Sequence, residues 1–224
     1  ITASKSFLVA KKTKDTIEGG LPLFKQNPKK GLQFFIDNKI VEDNPEAIAK
    51  FFFTNKALDP AAIGEILGRD SQLSHAILTA FLELFDFTGK SFEDAFREFL
   101  SKFLIPGESQ MIDRVMGEFG HRYYNNNPTL ISSPETAFVL AFSVLMLYTD
   151  AHHPQITHHM TLPEFIKNNS AIDNGKDLPE EFLTELYKGI TTKKIPLSSQ
   201  ATPNPLLLKR SQRIELYQEQ CLAT

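Results

Sequence analysis

Cysteine is almost missing from this chain: Cys221 is the only one in 224 residues. A disulfide framework is therefore excluded, and a reducing compartment is expected. Basic charge is also short. A net charge of −3 leaves no electrostatic footprint for nucleic acid, which calls for a positive surplus. No apolar run is long enough for a bilayer, and the longest, Ala137 to Tyr148, is broken only by Ser143. That run suits a buried helix. Alternating strand patterns flanked by turn dipeptides are nearly absent, and no fixed-period repeat points to a solenoid. The sequence opens at Ile1 without an initiator methionine or a signal-peptide pattern. It is expected to be a domain of a longer protein.

What is present is a folded globule's composition, 42% apolar and 23% charged, with helix start signals at regular intervals. Asn44-Pro45-Glu46 stands before an apolar run, as do Asp59-Pro60 and Asp177-Leu178-Pro179-Glu180. Each sets a polar cap near a proline, whose fixed φ suits a first helical turn. Thr161 and Glu164 have capping-box spacing. Phe96, Phe99, Leu100 and Phe103 recur at helical intervals. The chain reads as all-α with roughly ten helices. Gly19, Gly20 and Pro22 predict a weak or kinked helix near the entry. The prolines of QATPNPLLLKRSQ (200–212) place the domain at 1–197, with a linker and the start of a following segment at 198–224.

Two patterns are decoys. Gly89-Lys90-Ser91 has the look of a phosphate-binding loop, but the first glycine of that loop would fall at Leu84. Ser91 reads better as the cap of FEDAFREFL. His152, His153, His158 and His159 cluster with Asp150, yet adjacent histidines point to different sides, so solvated or interface histidines are expected rather than a metal site. Cys221 lies far from any histidine, which argues against a cysteine nucleophile.

The informative break is IPGES (105–109). Phe92 to Leu104 reads as one amphipathic helix, Pro106-Gly107 turns the chain, and a second helix begins near Glu108. An acid in a first turn is favourable with the helix dipole by about 0.3–1 kcal/mol. The same turn would also leave the carboxylate at a convex tip, open to a partner.

The surrounding run FREFLSKFLIPGESQMIDRVMGEFGHRY (96–123) closely resembles the first signature of the Sec-seven domain of Arf guanine-nucleotide exchange factors. AFVLAFSVLMLYTDAHHP (137–154) resembles the second, and DLPEEFLTELYKGITTKKIP (177–196) the C-terminal helix. LPLFKQNPKKGLQFF (21–35) is similar to the opening of the domain in the large brefeldin-A-inhibited trans-Golgi subclass, and KRSQRIELYQEQ (209–220) to the segment after that domain.

The resemblance implies a right-handed superhelix of about ten helices in two lobes with a hydrophobic groove between them. It implies an Arf-family GTPase as partner, no cofactor and no metal. It also implies catalysis of exchange without covalent chemistry, peripheral Golgi or trans-Golgi membranes as the place of action, and membrane contact through the GTPase or through parts outside this chain. Glu108 would be the glutamic finger, which repels the β-phosphate of GDP, displaces Mg²⁺ and pairs with the lysine so freed. Partner contacts would come from Gln110, Asp113, Phe138, Phe142, Ser143, Leu145, Met146, Thr149, Asp150, His153 and Met160, with Met146 expected as an exposed apolar anchor. Asp113 and Arg114 would either orient the loop or touch the partner. Brefeldin A sensitivity in the family goes with Tyr-Ser, Asp and Met. Here the four positions hold Phe142, Ser143, Asp150 and Met160. Tyr148, His153, Met111 and the stretch 168–173 depart from the common pattern. The rival readings are a silent scaffold of the same fold, for which Glu108 has no use, and a metal-dependent hydrolase built on the histidines.

Overall fold

The computed structural model describes residues 2–154 and 156–195. Among them lie ten α-helices: α1 (Thr2–Gln26), α2 (Pro28–Asp37), α3 (Pro45–Thr54), α4 (Pro60–Gly68), α5 (Gln72–Glu83), α6 (Phe92–Leu100), α7 (Ser109–Asn126), α8 (Pro134–His152), α9 (Leu162–Asn168) and α10 (Glu180–Thr192). The all-α class read from the sequence is the one found. The expected linker, 198–224, lies outside the described residues.

The chain divides into two compact units. The first comprises the described residues up to Leu84 together with Phe103–Pro106. Its helices start where polar caps meet proline. Asn27, Asn44 and Asp59 each accept a hydrogen bond from the backbone N–H three residues on, with Pro28, Pro45 and Pro60 in the first turn. Such a cap satisfies one of the donors a helix start leaves open, worth about 1 kcal/mol. Ser71 does the same for α5 without a proline.

The entry segment, expected as a weak or kinked helix, forms a helix over its full length. α1 runs unbroken to Gln26 with Pro22 inside it. Tertiary burial overrides local propensity here: Phe24 is fully buried, with its ring 6.0 Å from that of Phe35 and 5.7 Å from that of Phe52.

The second unit comprises Phe85–Lys102 and the described residues from Gly107 onward. α6 is capped by Ser91, which accepts from the Asp94 N–H at 3.1 Å. It ends at Leu100 rather than continuing to Leu104, because the Ser101 hydroxyl turns back to the Glu98 carbonyl and Leu104 N–H donates outside the helix, to Pro60 O. The start of α10 also differs from expectation. Its cap position is Pro179, and Asp177 instead accepts from the Ala171 N–H at 2.7 Å, closing a turn.

An aromatic hub holds α7 in place. The Phe119 ring lies 5.5 Å from Phe87, 5.7 Å from Phe92, 5.7 Å from Phe96 and 5.1 Å from Phe99. Offset and edge-on pairs of this kind add about 0.5–1.5 kcal/mol each beyond their buried area. Next to the hub, Gly120 lets α7 meet α8 backbone to backbone. A Cβ there would stand 2.7 Å from Phe138 N and 2.9 Å from Phe138 Cα. Gly120→Ala must push these helices apart, and overpacking of this kind costs about 1–3 kcal/mol. Urea unfolding is expected to show that loss, whereas Gly117→Ala, where a Cβ meets nothing within 4 Å, leaves the midpoint unchanged or higher.

Candidate functional site

α7 carries the candidate acid at its start, and its C-terminal half is pinned to residues 85–90. The Arg122 guanidinium donates to Phe85 O at 2.6 Å, and the Asn127 amide donates to Phe87 O while accepting from Gly89 N–H, both at 2.9 Å. Asn126 accepts from Phe87 N–H at 3.0 Å, and the Tyr123 hydroxyl donates to Lys90 O at 3.1 Å. Burial pushes the Tyr123 phenol up to about 12, so it stays neutral and able to donate near pH 7. The Gly89-Lys90-Ser91 stretch is thereby accounted for. It is a strap tied to α7 and a cap for α6, with Lys90 paired to Glu98.

Glu108 stands exposed at the N-cap of α7 in extended conformation (φ −87°, ψ 136°) and makes no cap hydrogen bond. The contrast with the other helix starts is chemical. Asn, Asp and Ser, short side chains that reach the third N–H, occupy the caps of α2 to α6 and of α8. α7 begins with a longer acid that does not turn back on its own helix. The helix dipole still favours a negative charge there, but the carboxylate oxygens are left facing solvent. Gln110 is exposed beside it, and Met111, Asp113 and Arg114 are half-buried on the first turns of α7.

α8 is capped by Ser133, which accepts from the Thr136 N–H, and is buried on all sides from Val139 to Asp150. An apolar helix with no polar face is core. The exposure expected of Met146 is corrected accordingly. Phe142 (5% exposed), Leu145 (6%), Met146 (4%) and His153 (5%) are interior residues of the chain, and Ser143 and Thr149 are buried with them. The Thr149 hydroxyl donates to Leu145 O at 2.9 Å, within its own helix. Sequence periodicity could not show this, because a nearly continuous apolar run has no face to single out. Phe138 is half-buried.

At the C-terminal end of α8 the structure does bring candidates together. Asp150 Oδ2 accepts from Met160 N–H at 2.7 Å, and His159 Nδ1 lies 2.8 Å from Asp150 O. His152 Nε2 lies 2.8 Å from Ile190 O, and Tyr148 Oη accepts from Ile195 N–H at 3.1 Å. Tyr148, which departs from the family's common pattern, thus ties α8 to the end of the last described segment. Among the described residues no group of three or more His, Cys, Asp or Glu is arranged to hold a metal ion. Hydrogen bonds from the Thr161 backbone N–H and then its hydroxyl hold the Glu164 carboxyl below the usual carboxylate range. Sequence reading did not single out Gly120 or Tyr187. Their contacts join positions far apart in the chain and leave no local pattern.

The buried position of Met146 yields a stability prediction. Truncating a core methionine to alanine costs about 2–5 kcal/mol through lost transfer energy and the cavity left behind. Met146→Ala is expected to lower the urea midpoint and the Tm accordingly. A melting curve matching wild type would mean that Met146 is not held in the core.

The Sec7 domain family matches residues 13–195. Brefeldin A-inhibited guanine nucleotide-exchange protein 3 of Arabidopsis thaliana is 44% identical over 81% of this chain, and protein 1 of that name in Homo sapiens is 42% identical over 86%. The chain spans 10% of the length of each. Among solved structures, the Sec7p catalytic domain is 42% identical with a TM-score of 0.76, covering 80% of this chain and 96% of its own. A Sec7 domain bound to ARF1-GDP and brefeldin A is 34% identical with a TM-score of 0.77, covering 84% of this chain and 95% of its own. Ten helices among the described residues, two compact units and a family match over nearly the whole described length have one meaning: the chain belongs to the Sec7 domain family.

Proposed function

We propose that this chain is a guanine-nucleotide exchange domain for an Arf-family GTPase, with Glu108 as the group that expels GDP. The observation that carries this reading is an exposed carboxylate at the start of α7 that its own helix does not use as a cap. Family membership supplies the partner class, since a related Sec7 domain was solved with ARF1-GDP.

The physical work is electrostatic. GDP in such a GTPase is held by Mg²⁺ and by a lysine at the β-phosphate. A carboxylate brought into that site repels the phosphate, competes for the metal and pairs with the lysine. At ~4 Å and an effective dielectric of about 20, one unit-charge contact is of order 4 kcal/mol. A barrier lowered by that amount is about a thousandfold in rate. No bond is made or broken, so the site needs no nucleophile. The carboxylate must be charged, unpaired and rigidly presented. The hub at Phe119 and the strap at residues 85–90 supply the rigidity.

On this reading residues 1–197 form the exchange domain. Gln110, Asp113 and Arg114 lie beside the finger, and Asp150 and Met160 contribute to the partner surface from the end of α8. The buried residues Phe142, Leu145 and Met146 shape that surface from beneath. The domain would act peripherally at Golgi or trans-Golgi membranes. None of the described helices is long and apolar enough to cross a membrane, and membrane contact would come through the GTPase or through parts of the protein beyond this chain.

Glu108→Lys tests the charge mechanism. The position is exposed, so the fold and Tm are expected to stay as in wild type. Stopped-flow release of fluorescent GDP is expected to fall to the spontaneous rate, because the new cation attracts the phosphate. Release within twofold of wild type would contradict a role for the negative charge.

A second prediction concerns brefeldin A. The chain carries Ser143, Asp150 and Met160, with Phe142 in place of the tyrosine typical of sensitive relatives. One missing hydroxyl costs about 0.5–1.5 kcal/mol, or about a three- to tenfold weaker drug complex. Inhibition of exchange is expected at raised drug concentration, with Phe142→Tyr shifting the dose curve lower. Saturating drug without effect on either protein would contradict it.

A further inference from the structure

The loop between α8 and α9 ends at Met160, and this half-buried residue is held through every polar atom it has. Its N–H donates to Asp150 Oδ2 at 2.7 Å, and its carbonyl accepts from the Tyr187 hydroxyl at 2.7 Å. Its sulfur accepts a weak hydrogen bond from Asn168 Nδ2 at 3.8 Å. The preceding residue adds a further tie, with His159 Nδ1 2.8 Å from Asp150 O and 3.7 Å from Asp150 Oδ2. A carbonyl oxygen can only accept, so Nδ1 carries the proton. The Tyr187 ring is itself braced, 5.9 Å from the fully buried Phe165 ring. Side chains from α8, α9 and α10 therefore converge on one methionine.

A methionine side chain is flexible and normally fills whatever gap its neighbours leave. Closing the loop would require one or two backbone bonds. Fixing the backbone on both sides and engaging the sulfur as well makes this thioether a defined surface feature. We infer that His159, Asn168 and Tyr187 are positioning residues that hold Met160 in one orientation and thereby set which GTPase surface the domain accepts. The inference rests on the exchange reading above and extends it to partner specificity. Glu108 lies on a different helix, so disturbing the cradle is expected to weaken encounter with the GTPase rather than expulsion of nucleotide.

The test combines two readouts on the full chain. The sequence holds four methionines, so ¹³C-methyl methionine NMR resolves Met160 from the buried Met116. Tyr187→Phe and Asn168→Leu are expected to move the Met160 methyl resonance and leave that of Met116 in place. In GDP-release assays with an Arf-type GTPase, the same variants are expected to raise KM about three- to tenfold, with kcat within twofold of wild type. His159→Ala is expected to behave likewise, and His159→Asn, which keeps an N–H donor near the Nδ1 position, to restore KM. A moved Met160 resonance with KM unchanged would overturn the proposal. So would a fall of kcat and Tm alongside the rise in KM, which would make the cradle only structural. If the unaltered chain released GDP from no Arf-type GTPase, the exchange reading and this extension of it would fall together. The methyl spectra of the free variants distinguish that failure, since they report on the cradle without any GTPase.

Discussion

The approach of α7 to α8 at Gly120 is the constraint on which the rest of the second unit depends. With no side chain at that position, the backbone of α7 lies against Phe138 and Ala137 of α8. Phe119, the adjacent residue, projects into a cluster of phenylalanines. Interiors packed at crystal-like density transmit such a constraint instead of absorbing it. α7 is one unbroken helix, so a residue fixed at 120 fixes its first residues about 16 Å away along the axis. Glu108 is therefore presented by a rod clamped near its middle and strapped along its later turns. On the proposed reading, a charge that enters a partner's nucleotide site gains most when it needs no reorganisation on arrival.

The finger position also shows how the same helix physics can serve structure at one place and leave a group free at another. Asn27, Asn44, Asp59, Ser71, Ser91 and Ser133 all return a hydrogen bond to the helices they start. Glu108 occupies the equivalent position without that bond. The helix dipole stabilises its charge without engaging its oxygens. At the end of α8 the opposite arrangement holds. Asp150 and Tyr187 each bond to the Met160 backbone, so the surface there is defined by bonds already made.

Much of this was legible in the sequence because its signals are local. Cap-proline pairs located the starts of α3 and α4, Ser91 located α6, and the Pro106-Gly107 turn located the break before α7. Three features were not legible, each for a physical reason. Pro22 sits inside a continuous helix because burial of Phe24 outweighs a local penalty. α6 stops at Leu100 because Leu104 finds its acceptor at Pro60, more than forty residues earlier in the chain. The face of α8 that would meet a partner could not be read from a run of apolar residues, and Met146, expected at the surface, is interior. The finger role proposed for Glu108 comes from the resemblance. Chemistry alone allowed a simple first-turn acid.

The central claim is that this chain accelerates nucleotide release and does not merely bind a GTPase. The most direct measurement is release of fluorescent GDP from a panel of Arf-type GTPases, with the unaltered chain at substoichiometric concentration and Mg²⁺ held constant. The account predicts release accelerated by about a thousandfold on at least one member, with turnover by each domain molecule. Spontaneous release rates across the whole panel, with a GTPase complex still formed, would contradict it and leave a silent scaffold in its place.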